Sequence, residues 1–233
     1  MPDDEPTGLG DLGADDVGRP RPVLDLTAAR EQYQDAGLSR TDLAADPIEQ
    51  FRVWYEEWAA LDPYDPAAVA LATATPDGRP SVRFVLVRLV DHGFCFFTDT
   101  TSRKGEELAA NPQAALCFGW IALSRQVRVV GRVERLPDAD VDTYWEARPV
   151  GSRLSAAASA QSQPIADRAA LEQRRAEVDA GVDGDAVPRP PGWGGYRLLP
   201  DEVEVWQGRA DRLHDRFVYT RGDRGWSIQR LMP

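Results

Sequence analysis

The feature that most constrains the fold is a series of short apolar segments separated by tight turns. Residues 69–74, 81–90 and 94–98 are rich in Val, Ala, Leu and Phe, and the turn sequences Pro76-Asp77-Gly78 and Asp91-His92-Gly93 lie between them. Turn residues of this kind between apolar segments predict β-hairpins. Further strands are predicted over residues 114–120, 126–135, 196–199, 202–207, 213–219 and 226–231. Strands joined mainly by tight turns favour an antiparallel sheet or barrel.

Helices are predicted between groups of strands, which places them at the periphery of the sheet. The clearest helix spans residues 47–61, where Asp46 can cap the first turn and Pro47 suits the first helical position. Its aromatic residues recur at helical spacing and predict a buried packing face: Phe51, Trp54, Tyr55 and Trp58. Further helices are predicted over residues 26–33, from Ser102 to Asn111, over 138–147 and over 167–178. The sequence therefore predicts a mainly β protein with peripheral helices.

Charge and composition exclude several classes of protein. The formal net charge of −11 argues against a nucleic-acid or anionic-membrane surface, because such surfaces need clustered Lys and Arg. No apolar stretch approaches the roughly 18 residues that a membrane-spanning helix needs, so we expect a cytoplasmic protein. Two cysteines and two histidines predict neither a disulfide framework nor a metal site. Residues 1–24 are rich in Asp, Gly and Pro, so we expect a disordered acidic tail followed by a single domain over residues 25–233.

Residues 98–104 combine hydroxyl side chains with two cations at the start of a predicted helix. Arg103 and Lys104 at a helix N-terminus oppose the helix dipole, so local stability does not explain them. A bound anion would be favoured by the free backbone N–H groups there and would neutralise both side chains. The segment therefore indicates a phosphate site, and the alternative is a solvated, slightly unfavourable helix start.

Three further positions could bind an anion or a ring. Arg83 lies in an apolar strand and needs a partner, which is either an anionic ligand or a salt bridge. Tyr144, Arg148 and Ser152, at spacings of four, would converge as an oxyanion grip around the end of a helix. Gln126, at the start of a strand, has an amide that can recognise the edge of a heteroaromatic ring. The alternative is that it has no role in ligand binding, which is the usual case for a Gln at a strand start.

The last candidate group is a row of cations. Alternation along a predicted strand places Arg212, His214 and Arg216 on one face. Such a row is unfavourable unless an anion or an electron-rich ligand lies against it. The alternative is an exposed edge strand in which Asp211 and Asp215 screen the charges.

A set of short motifs runs through the chain. They are Arg83-Phe-Val-Leu-Val, Ser102-Arg-Lys-Gly, Asn111-Pro, Arg125-Gln-Val, Arg148-Pro, Gln161-Ser, Trp193-Gly-Gly, Glu204-Val-Trp-Gln-Gly, Arg212-Leu-His-Asp-Arg and Arg230-Leu-Met-Pro. In order and approximate spacing, from about Arg30 to Pro233, the chain resembles the pyridoxine 5′-phosphate oxidase family. Trp-Gln-Gly followed by Arg-Leu-His-Asp-Arg, together with Ser-Arg-Lys, makes the resemblance specific.

The resemblance implies an FMN-binding split β-barrel, which is a Greek-key-like antiparallel barrel, and a homodimer with FMN at the interface. It implies FMN contacts on Arg83, Phe84, Val85, Leu86, Phe97, Thr98, Arg103, Lys104 and Gln126 of one chain, with Gln161, Ser162, Trp206 and Arg216 completing the site. It implies that the substrate phosphate is held by Arg88, Tyr144, Arg148 and Ser152. It implies that the pyridine ring is held against the flavin by the catalytic residues Arg212 and His214, with Leu213. An N-terminal segment with Arg30 and Tyr33 is implied to cover the site.

The implied activity is FMN-dependent oxidation of pyridoxine 5′-phosphate or pyridoxamine 5′-phosphate to pyridoxal 5′-phosphate. The implied electron acceptor is O2, which is reduced to hydrogen peroxide. FMN supplies the redox step. Three positions depart from the family pattern. Arg88 stands where Lys is usual, Phe97 stands where Tyr is common, and Ser155-Ala156-Ala157 replaces Gly-Ala-Trp. These departures affect the substrate pocket rather than the FMN site.

Other interpretations of the same motifs stay open. One is a flavin oxidase of secondary metabolism on the same scaffold, like the phenazine-biosynthesis relatives, which Arg88 and Ala157 favour. Another is a non-catalytic protein that binds flavin or pyridoxal phosphate, and a third is a structural split-barrel module without a cofactor. The retained Tyr144, Arg148 and Ser152 favour the vitamin B6 substrate.

Overall fold

Eight antiparallel strands form the centre of the computed structural model, which describes residues 37–233. The strands are β1 (Ala68–Ala74), β2 (Pro80–Val90), β3 (Phe94–Asp99), β4 (Gln113–Trp120), β5 (Arg125–Arg135), β6 (Trp193–Gln207), β7 (Asp215–Gly222) and β8 (Gly225–Leu231). Their order in the sheet is β3-β2-β1-β4-β5-β6-β7-β8, and β3 also pairs with β6. Six strands therefore close into a barrel, while β7 and β8 extend the sheet beyond β6. The predicted mainly β architecture with an antiparallel barrel is confirmed.

The two predicted hairpin turns connect β1 to β2 and β2 to β3. Gly78 in the first turn has a φ of +84°, a conformation that favours glycine. Exposure alternates along the first part of β2, so that Arg83 and Val85 are partly buried while Phe84 is 77% exposed. The predicted alternation along this strand is confirmed, and it directs Arg83 inward.

The strand β6 is the longest element and connects two parts of the sheet. Its first half pairs with β3 and its second half pairs with β7, while β5 pairs with it from Tyr196 to Gln207. Two separate strands were predicted here, but the structure has one strand with a shift of register near Pro200. A Cβ at Gly131, opposite this shift, would lie 1.9 Å from the Leu199 carbonyl oxygen, so the close approach requires glycine.

Five α-helices pack around the sheet within the described residues. They are α1 (Pro47–Ala59), α2 (Arg103–Ala110), α3 (Asp138–Ala147), α4 (Val150–Ala158) and α5 (Arg168–Ala180). The Asp46 carboxylate caps α1 by accepting from the backbone N–H of Ile48 at 2.8 Å. Phe51 of this helix contacts Phe94 and Phe118 with ring centroids 4.9 and 4.8 Å apart, so the predicted aromatic face does pack into the barrel core.

Two local predictions were wrong. The helix α4 was not predicted, although Pro149 directly before it suits a helix start. The strand predicted over 213–219 begins only at Asp215, because Asp211 and Arg212 adopt φ values of +54° and +62° in a short 3-10 turn. Arg212 and His214 therefore precede the strand, and the predicted row of three cations on one strand face does not exist.

Several predictions fall outside the described residues. These are the acidic tail over residues 1–24, the helix over 26–33 and the candidate residues Arg30 and Tyr33. All described residues lie within the unit that spans Tyr33–Pro233, and the domain boundary after residue 24 stays a prediction. No helix in residues 37–233 is long and apolar enough to cross a membrane. In the same residues Cys95 and Cys117 are free thiols, and no cluster of side chains could hold a metal ion.

Candidate functional site

The start of α2 places Lys104, the single lysine of the chain, in the protein interior. Its Nζ donates to the Thr98 Oγ1 at 3.0 Å, to the Ser102 Oγ at 3.2 Å and to the Gln161 Oε1. The Thr98 hydroxyl also donates to the Gln161 Oε1, at 2.9 Å. We call these four residues the lysine cluster. The resemblance implied that Gln161 lies with Trp206, whereas the fold brings it to Thr98 and Lys104 of its own chain.

The lysine cluster contains a cation that no carboxylate of the described residues pairs with directly. Lys104 is only 7% exposed, and no ion pair among residues 37–233 includes it. Burial, together with the nearby Arg83 guanidinium, lowers the pKa of Lys104 to about 8, with a partial offset from Asp99. A buried ammonium with neutral partners is costly, and an anion in the cluster would offset that cost. The cluster therefore fits the phosphate of a cofactor such as FMN.

Arg83 approaches the same region from β2. Its Nη1 donates to the Thr73 Oγ1 at 2.6 Å, while its Nη2 donates to the Ser81 Oγ and lies 3.3 Å from the Glu107 Oε2. The salt bridge considered for Arg83 from the sequence is therefore present. Glu107 also accepts from the Arg103 Nε at 2.9 Å. The sequence analysis missed Glu107, although its spacing of four from Arg103 on a helix indicates an ion pair.

A second group lies across three neighbouring strands. Gln126 of β5 pairs with Trp206 of β6, and Trp206 pairs with Arg216 of β7. Directly paired residues of an antiparallel sheet share one face, so these three predicted cofactor residues form a row. We call them the strand row. The imidazole of His214 lies against it, with its ring centroid 4.6 Å from that of Trp206.

Arg216 of the strand row is fixed by a buried carboxylate. Its Nε and Nη2 donate to the two oxygens of Glu204 at 3.0 and 3.1 Å, in the bidentate geometry of an Arg–carboxylate pair. Glu204 is 2% exposed, and it also accepts from the Arg128 Nη2 at 2.8 Å. These hydrogen bonds raise the pKa of Arg216. Glu204 was not among the predicted site residues, although it belongs to the Glu-Val-Trp-Gln-Gly motif.

The turn between β6 and β7 carries the two residues predicted to be catalytic. Arg212 is exposed, Leu213 is 70% exposed, and both precede β7. The His214 Nδ1 accepts from the Arg209 backbone N–H at 3.0 Å. In a neutral imidazole this places the remaining proton on Nε2. The turn thus presents a guanidinium and an oriented imidazole next to the strand row.

The predicted oxyanion grip lies where α3 meets α4. Arg148 follows the last residue of α3, and its Nη2 donates to the Ser152 backbone oxygen at 3.1 Å, while its Nε is buried without a partner. The guanidinium lies 4.4 Å from the Trp193 ring centroid. Burial lowers the pKa of Arg148, with Tyr144 opposing the shift and the Arg88 charge adding to it. Two cations are thus brought near each other, which suits an anionic group.

The remaining predicted residues divide between these groups. Phe97 stacks on Tyr144 with ring centroids 3.8 Å apart, so it belongs to the oxyanion grip. Leu86 and exposed Arg88 follow Phe84 on β2. Ser162, which follows Gln161 of the lysine cluster, has a φ of +72°.

The lysine cluster and the strand row lie at opposite ends of β6. Thr98 pairs with Gly194 at one end of β6, and Trp206 lies near the other end. About 40 Å of extended strand separates these positions at the usual rise per residue. A single chain therefore presents the predicted cofactor residues in two places.

The closed six-strand barrel is the fold of the FMN-binding split-barrel proteins. PhzG from Burkholderia lata, solved with tetrahydrophenazine-1-carboxylic acid, superposes with a TM-score of 0.79 at 36% identity, covering 85% of this chain and 98% of that one. A pyridoxamine 5′-phosphate oxidase-related, FMN-binding protein from Nostoc punctiforme shares the fold, with a TM-score of 0.67 at 21% identity over 82% of this chain and 100% of that one.

Within this class, the chain belongs to the pyridoxine/pyridoxamine 5′-phosphate oxidase family. The family described as pyridoxamine 5′-phosphate oxidase matches residues 56–180, and the pyridoxine 5′-phosphate oxidase C-terminal dimerisation region matches residues 193–233. A pyridoxine/pyridoxamine 5′-phosphate oxidase from Herminiimonas arsenicoxydans is 53% identical over 90% of this chain and 100% of its own length. One from Rubrobacter xylanophilus is 49% identical over 90% of this chain and 97% of its own. The predicted family and fold are confirmed, and the family is one of oxidoreductases.

Proposed function

We propose that this protein is an FMN-dependent oxidase that converts pyridoxine 5′-phosphate or pyridoxamine 5′-phosphate to pyridoxal 5′-phosphate. The electron acceptor is O2, which is reduced to hydrogen peroxide; with pyridoxamine 5′-phosphate, water also enters and the amine leaves as ammonia. The observation that carries the proposal is the buried Lys104 ammonium, which has only neutral hydrogen-bond partners in a barrel whose class binds FMN. The relatives named pyridoxine/pyridoxamine 5′-phosphate oxidase support the substrate.

The lysine cluster and its neighbours hold the FMN phosphate in this proposal. Lys104 provides a desolvated positive charge, and the Arg83 and Arg103 side chains add two more at the start of α2. Charge-assisted hydrogen bonds of this kind are stronger than neutral ones, particularly where water is excluded. When bound, FMN supplies the two-electron acceptor of the reaction.

Two copies of the chain complete each site. The lysine cluster would come from one subunit and the strand row from its partner, because β6 separates the two groups within one chain. The match of residues 193–233 to a dimerisation region supports this arrangement, since that region contains Trp206 and Arg216. The protein is therefore proposed to be a homodimer with FMN at the interface.

The oxyanion grip holds the substrate phosphate. Arg148 and Arg88 provide its charge, while Tyr144 and Ser152 provide hydroxyl groups. Arg148 forms no ion pair within the described residues, so its charge is available to an anionic ligand. Arg88 can bind two phosphate oxygens at once, which the usual Lys at this position cannot do.

The turn before β7 positions the pyridine ring. Arg212 stabilises negative charge near the ring oxygen or the leaving hydride, and His214 orients the substrate through the proton on Nε2. Trp206 packs against the imidazole and fixes its plane. Neither Arg212 nor His214 is required as a proton-transfer base in this account.

A second candidate function is oxidation of a phenazine precursor. The solved structure of PhzG with tetrahydrophenazine-1-carboxylic acid, at a TM-score of 0.79 and 36% identity, favours it. The departures at Arg88, Phe97 and Ala157 lie on the substrate side of the site. Retention of the residues that bind a substrate phosphate distinguishes the two candidates, because a tricyclic carboxylic acid has no phosphate.

The two candidates are separated by steady-state release of hydrogen peroxide. The full chain is supplied with FMN and with pyridoxine 5′-phosphate, pyridoxamine 5′-phosphate or unphosphorylated pyridoxine. We expect peroxide from either phosphate and a much lower rate with pyridoxine. Peroxide from tetrahydrophenazine-1-carboxylic acid alone would favour the second candidate, and no peroxide from either phosphate would refute the first.

A further inference from the structure

Glu107 is the centre of a buried hydrogen-bond network beside the lysine cluster. Its side chain is 5% exposed, although it carries a full charge. One oxygen, Oε1, accepts from the Arg103 Nε at 2.9 Å. The other, Oε2, accepts from the Ser81 hydroxyl at 2.6 Å and from the Thr73 hydroxyl, and lies 3.3 Å from the Arg83 Nη2.

The two hydroxyls in this network also contact Arg83. The Arg83 Nη1 donates to the Thr73 Oγ1 at 2.6 Å, and its Nη2 donates to the Ser81 Oγ. A carboxylate can only accept hydrogen bonds, so both hydroxyls point their protons at Glu107 and their lone pairs at Arg83. Glu107 therefore sets the direction of the two hydroxyl hydrogen bonds that hold the Arg83 guanidinium, which also donates to the Leu71 carbonyl oxygen at 3.3 Å.

The same carboxylate connects two elements. Arg83 comes from β2 and Arg103 from the first turn of α2, directly before Lys104. Arg83, Arg103 and Lys104 are all cations and would repel one another without a shared acceptor. The Arg83 charge does lower the pKa of Lys104. The hydrogen bonds lower the pKa of Glu107 to about 2 despite its burial, so the carboxylate stays charged at neutral pH.

We propose that Glu107 is a positioning residue for the FMN phosphate: it holds Arg83 and Arg103 on one shared carboxylate beside the lysine cluster, without contacting the cofactor itself. This inference rests on the proposed FMN function. It assigns to Glu107 a role in selecting the phosphorylated flavin, because the two arginines can recognise a phosphate only when their guanidinium groups are held in place.

The substitution Glu107→Gln tests the role because it keeps the size and shape of the side chain but replaces one of its two acceptor oxygens with an NH2 donor. An amide must place its NH2 group where Glu107 now accepts from Arg103 or from Arg83, and an arginine cannot accept a hydrogen bond. One arginine therefore loses its hydrogen bond to residue 107 and is held less firmly. The matched control is Glu106→Gln, which removes the same charge from an exposed neighbour on α2 that has no side-chain hydrogen bond within the described residues.

Flavin affinity is measured by quenching of flavin fluorescence, with FMN and with riboflavin, which lacks the phosphate. We expect Glu107→Gln to weaken FMN binding by about tenfold or more and to leave riboflavin affinity unchanged. Glu106→Gln should change neither affinity. Equal or tighter FMN binding by Glu107→Gln would overturn the proposal, and so would an equal loss for both flavins, which indicates a general structural role.

A second variant keeps the test decisive if Glu107→Gln does not fold. Thr73→Val removes one hydroxyl from the network and leaves the charge of Glu107 in place, so it should reduce FMN affinity selectively, by a smaller factor. An unchanged preference for FMN over riboflavin in Thr73→Val would refute the inference. Failure of the wild-type chain to prefer FMN would instead refute the proposed function, on which this inference depends.

Discussion

The Lys104 ammonium donates a 3.0 Å hydrogen bond to the Thr98 hydroxyl in the protein interior, six residues earlier in the chain. Thr98 is the penultimate residue of β3 and Lys104 is the second residue of α2, so the short connection between these elements brings the cation to the hydroxyl. This pair makes the lysine cluster the place at which an anionic cofactor is best accommodated.

Lys104→Met should weaken FMN binding by about 10- to 150-fold, because it removes a charge-assisted hydrogen bond worth roughly 1.5–3 kcal/mol. The apoprotein should be no less stable, since the variant also removes a buried charge with neutral partners. Both quantities are measured on the same preparation, by flavin titration and by thermal unfolding without flavin. Wild-type FMN affinity in the variant would show that the phosphate binds elsewhere.

FMN affinity should depend on pH through Lys104. Its pKa is lowered to about 8 in the protein without ligand, and a bound phosphate would raise it again. Above pH 8, binding must therefore take up a proton, and affinity should fall towards tenfold per pH unit. The titration is repeated between pH 7 and about 9.5 with Lys104→Met as the control, which should not show the decline. A flat wild-type profile would contradict the assignment.

The same pKa predicts the stability of the protein without ligand. Since the unfolded chain has an ordinary lysine pKa and binds more protons between about 8 and 10.5, the contribution of Lys104 to folding stability rises with pH across that window. The matching measurement is denaturant unfolding at a series of pH values, compared with Lys104→Met. A difference between the two proteins that stays constant with pH would refute this effect.

Arg212→Ala should leave FMN bound and reduce turnover by orders of magnitude, because the guanidinium is proposed to act on the substrate ring. Arg212 is exposed, so the fold should not depend on it. Arg224→Ala, an equally exposed change in the turn between β7 and β8, is the control. Near-normal kinetics of Arg212→Ala in the peroxide assay would remove this residue from the catalytic assignment.

Much of the fold could be predicted from the sequence, because turn residues and alternation are local signals. The hairpins around Gly78 and Gly93 and the aromatic face of α1 are of this kind. The strand that begins at Asp215 was misplaced because Asp211 and Arg212 adopt positive φ, which no local signal for non-glycine residues reveals. The continuity of β6 through Pro200 was also missed, since it depends on tertiary pairing with β5 and on Gly131.

The sequence predicted those residues of the candidate site that lie in the motifs of the family. Thr98, Lys104 and Gln161 were named from the resemblance, but the sequence could not show that they meet. The spacing of Glu107 from Arg103 indicates their ion pair, but its contact with Arg83 of β2 and the contact of Glu204 with Arg216 of β7 depend on the closed sheet. The sequence therefore could not show that these carboxylates hold arginines from other strands.

The shared site predicts complementation between two inactive variants. At an FMN concentration that saturates the wild-type site but lies well below the dissociation constant of Lys104→Ala, this variant is left without flavin, and Arg212→Ala disables the turn next to the strand row. If each site uses the cluster of one subunit and the turn of the other, mixed dimers from co-expression contain one intact site. Random mixing then restores about a quarter of wild-type turnover. Absence of recovery, with mixed dimers demonstrated by tagged subunits, would show that one chain supplies both groups.

The most direct test of the account is to follow the visible absorbance of the flavin with substrate in the absence of oxygen. The full chain, loaded with FMN, is mixed anaerobically with pyridoxine 5′-phosphate, and O2 is then admitted. We predict that the absorbance of the oxidised flavin is lost on mixing and returns with O2, while pyridoxal 5′-phosphate accumulates. An FMN-loaded protein whose absorbance does not change with pyridoxine 5′-phosphate or pyridoxamine 5′-phosphate would contradict the central claim.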